Sequence, residues 1–206
     1  MKNLKLIALN LKKKVEQKYE QLGENPETYL KGLLHAKPIS YWDYIEVDTL
    51  LSLQKPRTHF KDETIFIMYH QVTELVLKMM RHEIEQIVDE KEITEAFLIK
   101  KVNRLNRYTS MLITSFDIMK YGMDYDDYNT FRMTLTPASG FQSAQYRMIE
   151  LGATEMHNLL QYKHRTEVDT LSPIAENFPY LYWRRGATEL ATGKKTFTLR
   201  PVEHTY

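Results

Sequence analysis

Two clusters in this chain carry side chains that could do chemistry. The first, Phe131–Arg147, reads Phe-Arg-Met-Thr-Leu-Thr-Pro-Ala-Ser-Gly-Phe-Gln-Ser-Ala-Gln-Tyr-Arg. Pro137 ends whatever precedes it, and Ser139 is placed to cap a new helix running through Phe141, Ala144, Met148 and Ile149. The first amides of that helix, at Gly140 and Phe141, are then unpaired donors at the positive end of its dipole, with Arg132 upstream as a fixed cation. That combination suits an anion. Arg132 is flanked by Phe131, Met133 and Leu135, which predicts a half-buried guanidinium in need of a carboxylate or phosphate. The partner is either a ligand or an internal acid, Asp124, Asp126 or Asp127.

The second cluster is His70 with Glu74, one helical turn apart beside an apolar stripe. Such a pair can supply two ligands to a metal, or can be a satisfied structural histidine with a solvated acid. A ferritin-like carboxylate site requires Glu-x-x-His, and a zinc protease requires His-Glu-x-x-His; neither pattern occurs, so both metal readings are set aside.

The elements that must position these groups are helices. Leu4, Ile7, Leu11, Val15 and Tyr19 recur at spacings of three or four and predict an amphipathic helix over 4–21, ended by Gly23. Pro26, after Asn25, starts a second helix that runs to His35 before Lys37-Pro38. Tyr41, Tyr44, Ile45, Leu50, Leu51 and Leu53 share one apolar face, which predicts a third helical segment stopped by Gln54-Lys55-Pro56. A long helix follows Asp62-Glu63 through Ile65, Phe66, Tyr69, Val72, Val76, Leu77 and Met80 to Ile87. Another spans 93–120 and ends near Gly122, a loop is expected over 121–130, and the helix capped by Ser139 is expected to persist to about Tyr162. Beyond Lys163 the pattern weakens, and a short helical piece is expected between Gly186 and Gly193. The expectation is an all-α chain of one domain. Within it, residues 1–38 are helices for oligomer contacts, 39–162 form a pocket and 163–206 are weakly patterned.

Composition narrows the function classes. At 206 residues the chain is long enough for one core, and its 28 basic and 27 acidic residues leave no global field for nucleic acid or an anionic membrane. No run is long and apolar enough for a transmembrane helix, and residues 1–17 lack the centre of a secretory signal. With no cysteine, thiolate chemistry and disulfides are excluded, which fits the cytoplasm. Fourteen tyrosines and ten methionines point to amphipathic walls or adaptable interfaces.

Three blocks of residues resemble the haem-dependent tryptophan 2,3-dioxygenases. They are Tyr41-x-x-Tyr44-Ile45 with Leu50-Leu51-x-x-Gln54; Asp62-Glu63 through Phe66-Ile67, His70-Gln71 and Glu74-Leu75; and Phe131-Arg132 with Pro137-Ala138-Ser139-Gly140-Phe141-Gln142-Ser143 and Gln145-Tyr146-Arg147. The order and spacing are the family's, with Val76 where the family usually has tryptophan. The resemblance implies an all-helical bundle, a homotetramer exchanging N-terminal helices at a subunit interface, haem b as cofactor, and L-tryptophan and dioxygen as substrates, the product being N-formylkynurenine. It implies roles at matching positions. Tyr41, Tyr44 and Ile45 are lent to a neighbour's site, and Phe66 packs on the indole. His70, the catalytic candidate, hydrogen-bonds the indole nitrogen; Tyr128 and Arg132 bind substrate, Arg132 taking its carboxylate; Ser139 and Gly140 lie over the haem.

The resemblance lapses toward the end of the chain. The family's Trp-Arg-x-x-His and Gly-Thr-Gly-Gly patterns are absent, and Ala187 stands where Trp183-Arg184 would lead to histidine. An axial ligand would have to come from His35, His59, His82, His157, His164 or His204, none of which has the matching context. The sequence therefore reads as the N-terminal two thirds of a longer enzyme. The alternative is a helical indole-binding or assembly protein that has lost haem.

Overall fold

The computed structural model describes residues 2–135, 140–186 and 194. Among them every regular element is a helix, with one isolated antiparallel bridge between Leu160 and Leu181, as an all-α reading requires. The chain divides into two compact units, residues 1–53 and 54–206.

In the first unit, α1 (Lys2–Gln21) ends where Gly23 adopts a φ of +74°, and the Gly23 and Glu24 amides return to the carbonyls of Glu20 and Tyr19. The α2 helix (Pro26–His35) is capped by Asn25, whose side chain accepts from the Glu27 amide at 2.9 Å. Tyr19 stacks on Tyr29 at 4.1 Å between centroids, tying the two together. The expected third helix is in fact two short ones, α3 (Tyr41–Tyr44) and α4 (Val47–Leu51). Glu46 separates them with a φ of +53°, a left-handed conformation that breaks the ladder and that no periodicity reveals.

The second unit is organised on α5 (Lys61–Asp89) and α6 (Glu95–Tyr121), which lie against each other after the turn capped by Thr94. Their contact is fixed by a buried charge group. Lys101, 3% exposed, donates to Glu83 and to Gln86, both at 2.6 Å, and Arg104 reaches the other Glu83 oxygen at 3.0 Å. Burial alone would raise the Glu83 pKa, but the hydrogen bonds from Lys101 and Arg104 hold it below the ordinary value. At the start of α5, Glu63 is equally buried and accepts from the Arg57 and Thr58 amides and the Thr58 hydroxyl, at 2.8, 2.7 and 2.5 Å. These bonds clasp the preceding loop to the helix.

Two expectations are corrected downstream. The region expected as a loop is largely α7 (Tyr125–Arg132), because Asp124 caps it by accepting from the Asp126 and Asp127 amides at 3.0 Å, while those two acids face the helix dipole favourably. The helix expected from Ser139 to Tyr162 is instead α8 (Ala144–Ala153), capped by Ser143, whose hydroxyl accepts from the Tyr146 amide at 3.2 Å. Residues Gly140–Gln142 before it form a short 3-10 turn. It ends at Thr154, extended at φ −149°, whose hydroxyl is engaged by Asn158 instead of continuing the helix. Short helices α9 (Met156–Leu159), α10 (Ile174–Asn177) and α11 (Tyr182–Gly186) follow. Leu159, Leu181 and Trp183 form an apolar cluster with Leu151, Met156 and Phe178 against it. Ala187, the short piece expected up to Gly193 and His204 lie outside the described residues.

Candidate functional site

Phe66, His70 and Glu74 follow at intervals of four along α5, so they stand on one face. The Phe66 and His70 rings lie 4.1 Å apart between centroids. The Phe66 carbonyl is 2.8 Å from His70 Nδ1. A carbonyl only accepts, so this bond places the proton on Nδ1 and leaves Nε2 of the neutral ring as an acceptor. His70 itself is exposed.

The second wall comes from α7. Phe131, with no exposed surface, meets Phe66 edge-on at 5.6 Å and Tyr128 edge-on at 5.7 Å, while Tyr128 lies 6.1 Å from Phe66. Burying a phenylalanine this fully is worth roughly 1.5–3 kcal/mol, which makes Phe131 the anchor that seats α7 on α5. One turn beyond Tyr128, the Arg132 guanidinium carbon lies 5.4 Å from the Tyr128 ring centroid. Arg132 is exposed, correcting the half-buried expectation, because the apolar neighbour Phe131 turns inward and sends the next residue out. Among the described residues no carboxylate pairs with it. Asp124 is occupied by capping, and Asp126 and Asp127 sit in the first turn of α7 while Arg132 is in its last. A cation resting on a ring face keeps its N–H edge available to a ligand.

The anion site expected from Gly140 and Phe141 as helix donors is not formed in that way. They lie in the 3-10 turn, Gly140 supplies a carbonyl to the Ser143 amide at 3.1 Å, and the helical N-terminus falls at Ala144. Gly140 is exposed, and a Cβ built on it meets nothing within 4 Å. Ser139 lies outside the described residues. Tyr41, Tyr44 and Ile45 belong to the first unit, where they are exposed by 76%, 73% and 39%.

Sequence reasoning missed two groups. Gln145, at the start of α8, donates through Nε2 to the Glu74 carbonyl at 2.8 Å and to its carboxylate at 3.0 Å. Buried Arg147 donates to Glu150 and to the Tyr182 hydroxyl, both at 2.7 Å, and Tyr182 in turn donates to Glu150 at 2.5 Å. Burial and the Glu150 carboxylate push the Tyr182 pKa up against the opposing pull of Arg147. Gln145 with Glu74, and Tyr182 with Arg147 and Glu150, join residues too distant in sequence for any local signal.

The family model for tryptophan 2,3-dioxygenase matches residues 32–176, which include every candidate residue above. This chain belongs to the tryptophan 2,3-dioxygenase family. It is 36% identical over 152 residues to the tryptophan 2,3-dioxygenase of Polaromonas naphthalenivorans (strain CJ2), covering 71% of this chain and 53% of that protein. It is 34% identical over 169 residues to that of Bacillus thuringiensis (strain Al Hakam), covering 78% and 60%, and 34% identical over 154 residues to that of Ruegeria pomeroyi, covering 72% and 54%. The chain thus spans between about half and three fifths of the length of these relatives. Its helical architecture is the all-α fold expected of the family.

For haem, which the family resemblance implies, the described residues offer a ligand-facing side. His70 presents an open ring nitrogen beside an aromatic wall. Among the described residues, His59, His82, His157 and His164 share no hydrogen bond, ion pair or ring contact with the Phe66, His70 and Tyr128 group. Nor does any group of three His, Asp or Glu there have the arrangement to hold a metal ion. No described helix is long and apolar enough to cross a membrane.

Proposed function

We propose that Phe66, His70, Tyr128 and Arg132 form the substrate-facing half of a dioxygenase site that opens the indole ring of L-tryptophan to N-formylkynurenine. The observation that carries this reading is the combination of a histidine with Nε2 left as acceptor, an aromatic wall beside it, and an arginine at the wall's edge that pairs with no acid among the described residues. An indole lies against Phe66 and donates its N–H to His70 Nε2, which positions the ring without requiring a strong base. The substrate carboxylate takes the N–H edge of Arg132 in a two-bond pairing, each charge-assisted bond worth about 1.5–3 kcal/mol where water is excluded. Lysine cannot reproduce that geometry.

Bound haem b would supply the dioxygen chemistry, with both oxygen atoms entering across the indole C2–C3 bond. Gly140 and Ser139 would help to hold it. Tyr41, Tyr44 and Ile45 would complete a neighbour's site in a homotetramer, which gives their exposure a purpose. The setting proposed is cytoplasmic. A second reading is a helical indole-binding protein without haem, since no histidine of this sequence stands in the family's Trp-Arg-x-x-His context.

An absorption spectrum separates the two: a Soret band with conversion of L-tryptophan supports the enzyme, and a colourless protein that binds indoles supports the second. Arg132→Ala tests the site itself. It should weaken L-tryptophan binding at least about tenfold and binding of indole, which has no carboxylate, by less than about threefold. Equal losses would refute the role given to Arg132.

A further inference from the structure

Two elements, α7 and α8, are tied to α5 at two levels, with His70 between them. Phe66 and Glu74 lie one turn either side of His70, roughly 6 Å away along the axis in each direction. At the Phe66 level, Phe131 seats α7 through edge-on ring contact at 5.6 Å. At the Glu74 level, Gln145 reaches across from the first turn of α8 and donates to two acceptors of one residue, the backbone carbonyl and the carboxylate. Both residues are half-buried, so water competes poorly for these bonds.

We infer that Glu74 and Gln145 are a positioning pair that sets where the Gly140–Ser143 segment runs relative to His70. The inference rests on the proposed function, which makes His70 the ligand-facing group. Holding α8 against α5 does not need the pair. The two helices lie against each other, and the close approach of Gly152 to Ile84 already supplies contact without direction. What two hydrogen bonds from one amide add is register, fixing rotation and height together. The segment before the helix follows, because Ser143 caps α8 and its amide is bonded to the Gly140 carbonyl at 3.1 Å. Glu74 thus acts through Gln145, and neither is called on to touch substrate.

The test uses the 206-residue chain with Glu74→Ala, Glu74→Gln, Gln145→Ala and the double alanine variant. Two measurements are made: hydrogen–deuterium exchange of residues 140–149, and affinity for L-tryptophan. Gln145→Ala should speed exchange in that segment and weaken affinity by about tenfold, and Glu74→Ala, which keeps the backbone acceptor, by about threefold. The double variant should be no worse than Gln145→Ala. Glu74→Gln preserves an acceptor and should stay within about twofold of wild type. The inference is overturned if Glu74→Gln is as impaired as Glu74→Ala, if the two alanine effects simply multiply, or if exchange rises while affinity holds, which marks a purely structural bond. A wild-type chain that binds no indole ligand would sink the functional reading as well; normal wild-type binding with silent variants sinks the pair alone.

Discussion

At Gly152, α8 comes close to Ile84 of α5, and replacing the glycine sets two calculable effects against each other. A Cβ built at Gly152 lies 2.6 Å from Ile84 Cγ2. That methyl sits directly on the β-carbon of a branched residue within α5, so it cannot swing aside as the end of a flexible chain would. Relief requires an off-rotamer Ile84 or a small shift of α8, an overpacking cost of about 1–3 kcal/mol. Against it stands the helix preference of alanine over glycine, about 0.8–1 kcal/mol. The expected net is a loss of up to about 2 kcal/mol for Gly152→Ala, read as a lower urea midpoint with unchanged slope. In an Ile84→Ala background the obstruction is gone, and the same substitution should stabilise by up to about 1 kcal/mol. The coupling between the two positions is then the overpacking cost itself, obtained from a double-mutant cycle. If Gly152→Ala stabilises the otherwise wild-type chain, the helices are not in the contact described, and the register argued for Gln145 loses its footing.

Three further outcomes are expected. Glu63 has its pKa lowered from the carboxylate value of 4.5, the Thr58 and Arg57 hydrogen bonds outweighing the opposing effect of burial. Its stabilisation is therefore complete above about pH 4.5 and lost as pH falls through the lower folded value, so Glu63→Gln should flatten the acid limb of a stability profile taken between about pH 3 and pH 6. Lys101→Met leaves the Glu83 carboxylate buried with only the partly exposed Arg104, and should cost about 3–5 kcal/mol by chemical denaturation, whereas a loss under about 1 kcal/mol would place that pair in water. Glu46→Gly removes the strain of a left-handed residue, which costs about 1–2 kcal/mol, and should raise the thermal midpoint; a drop would show that the Glu46 side chain holds the turn.

What the sequence made legible followed the range of each signal. The α5 helix was readable because Ile65, Phe66, Tyr69, Val72 and Val76 repeat locally, and its observed bounds differ from the expected ones by only a residue or two. The α7 helix was hidden because Tyr125, Asp126 and Asp127 look like loop composition, although Asp124 followed by acids is itself an N-terminal signal. The sequence reading puts the cap at Ser139, after Pro137, whereas the helix uses Ser143, a residue of the same type four positions on. Phe66 and His70 were placed on one face by their separation of four. The meeting of Tyr128 with Phe66 was not, since it depends on Phe131 burying itself between two elements. Residue roles came from resemblance, and no amount of periodicity would have supplied them.

The polar contacts along α5 explain how an open site can still be well defined. Glu63 clasps the loop before the helix, Glu74 receives α8 through Gln145, and Glu83 receives α6 through Lys101 and Arg104. Three acids on one helix thus fix three different neighbours. Meanwhile Met68, Val72, Leu75 and Met79 on the same helix remain 40–49% exposed, so apolar burial on that side does not locate it. A buried acid gains little net stability, since desolvation offsets much of its hydrogen bonding, but its bonds are directional where apolar contact is not. The role proposed for His70, a hydrogen bond to a flat ligand, would demand placement within about 0.5 Å. The helix that bears it is accordingly held by groups that tolerate little error in direction, which is why the glutamine bridging to Glu74 deserves the same experimental scrutiny as the histidine one turn away.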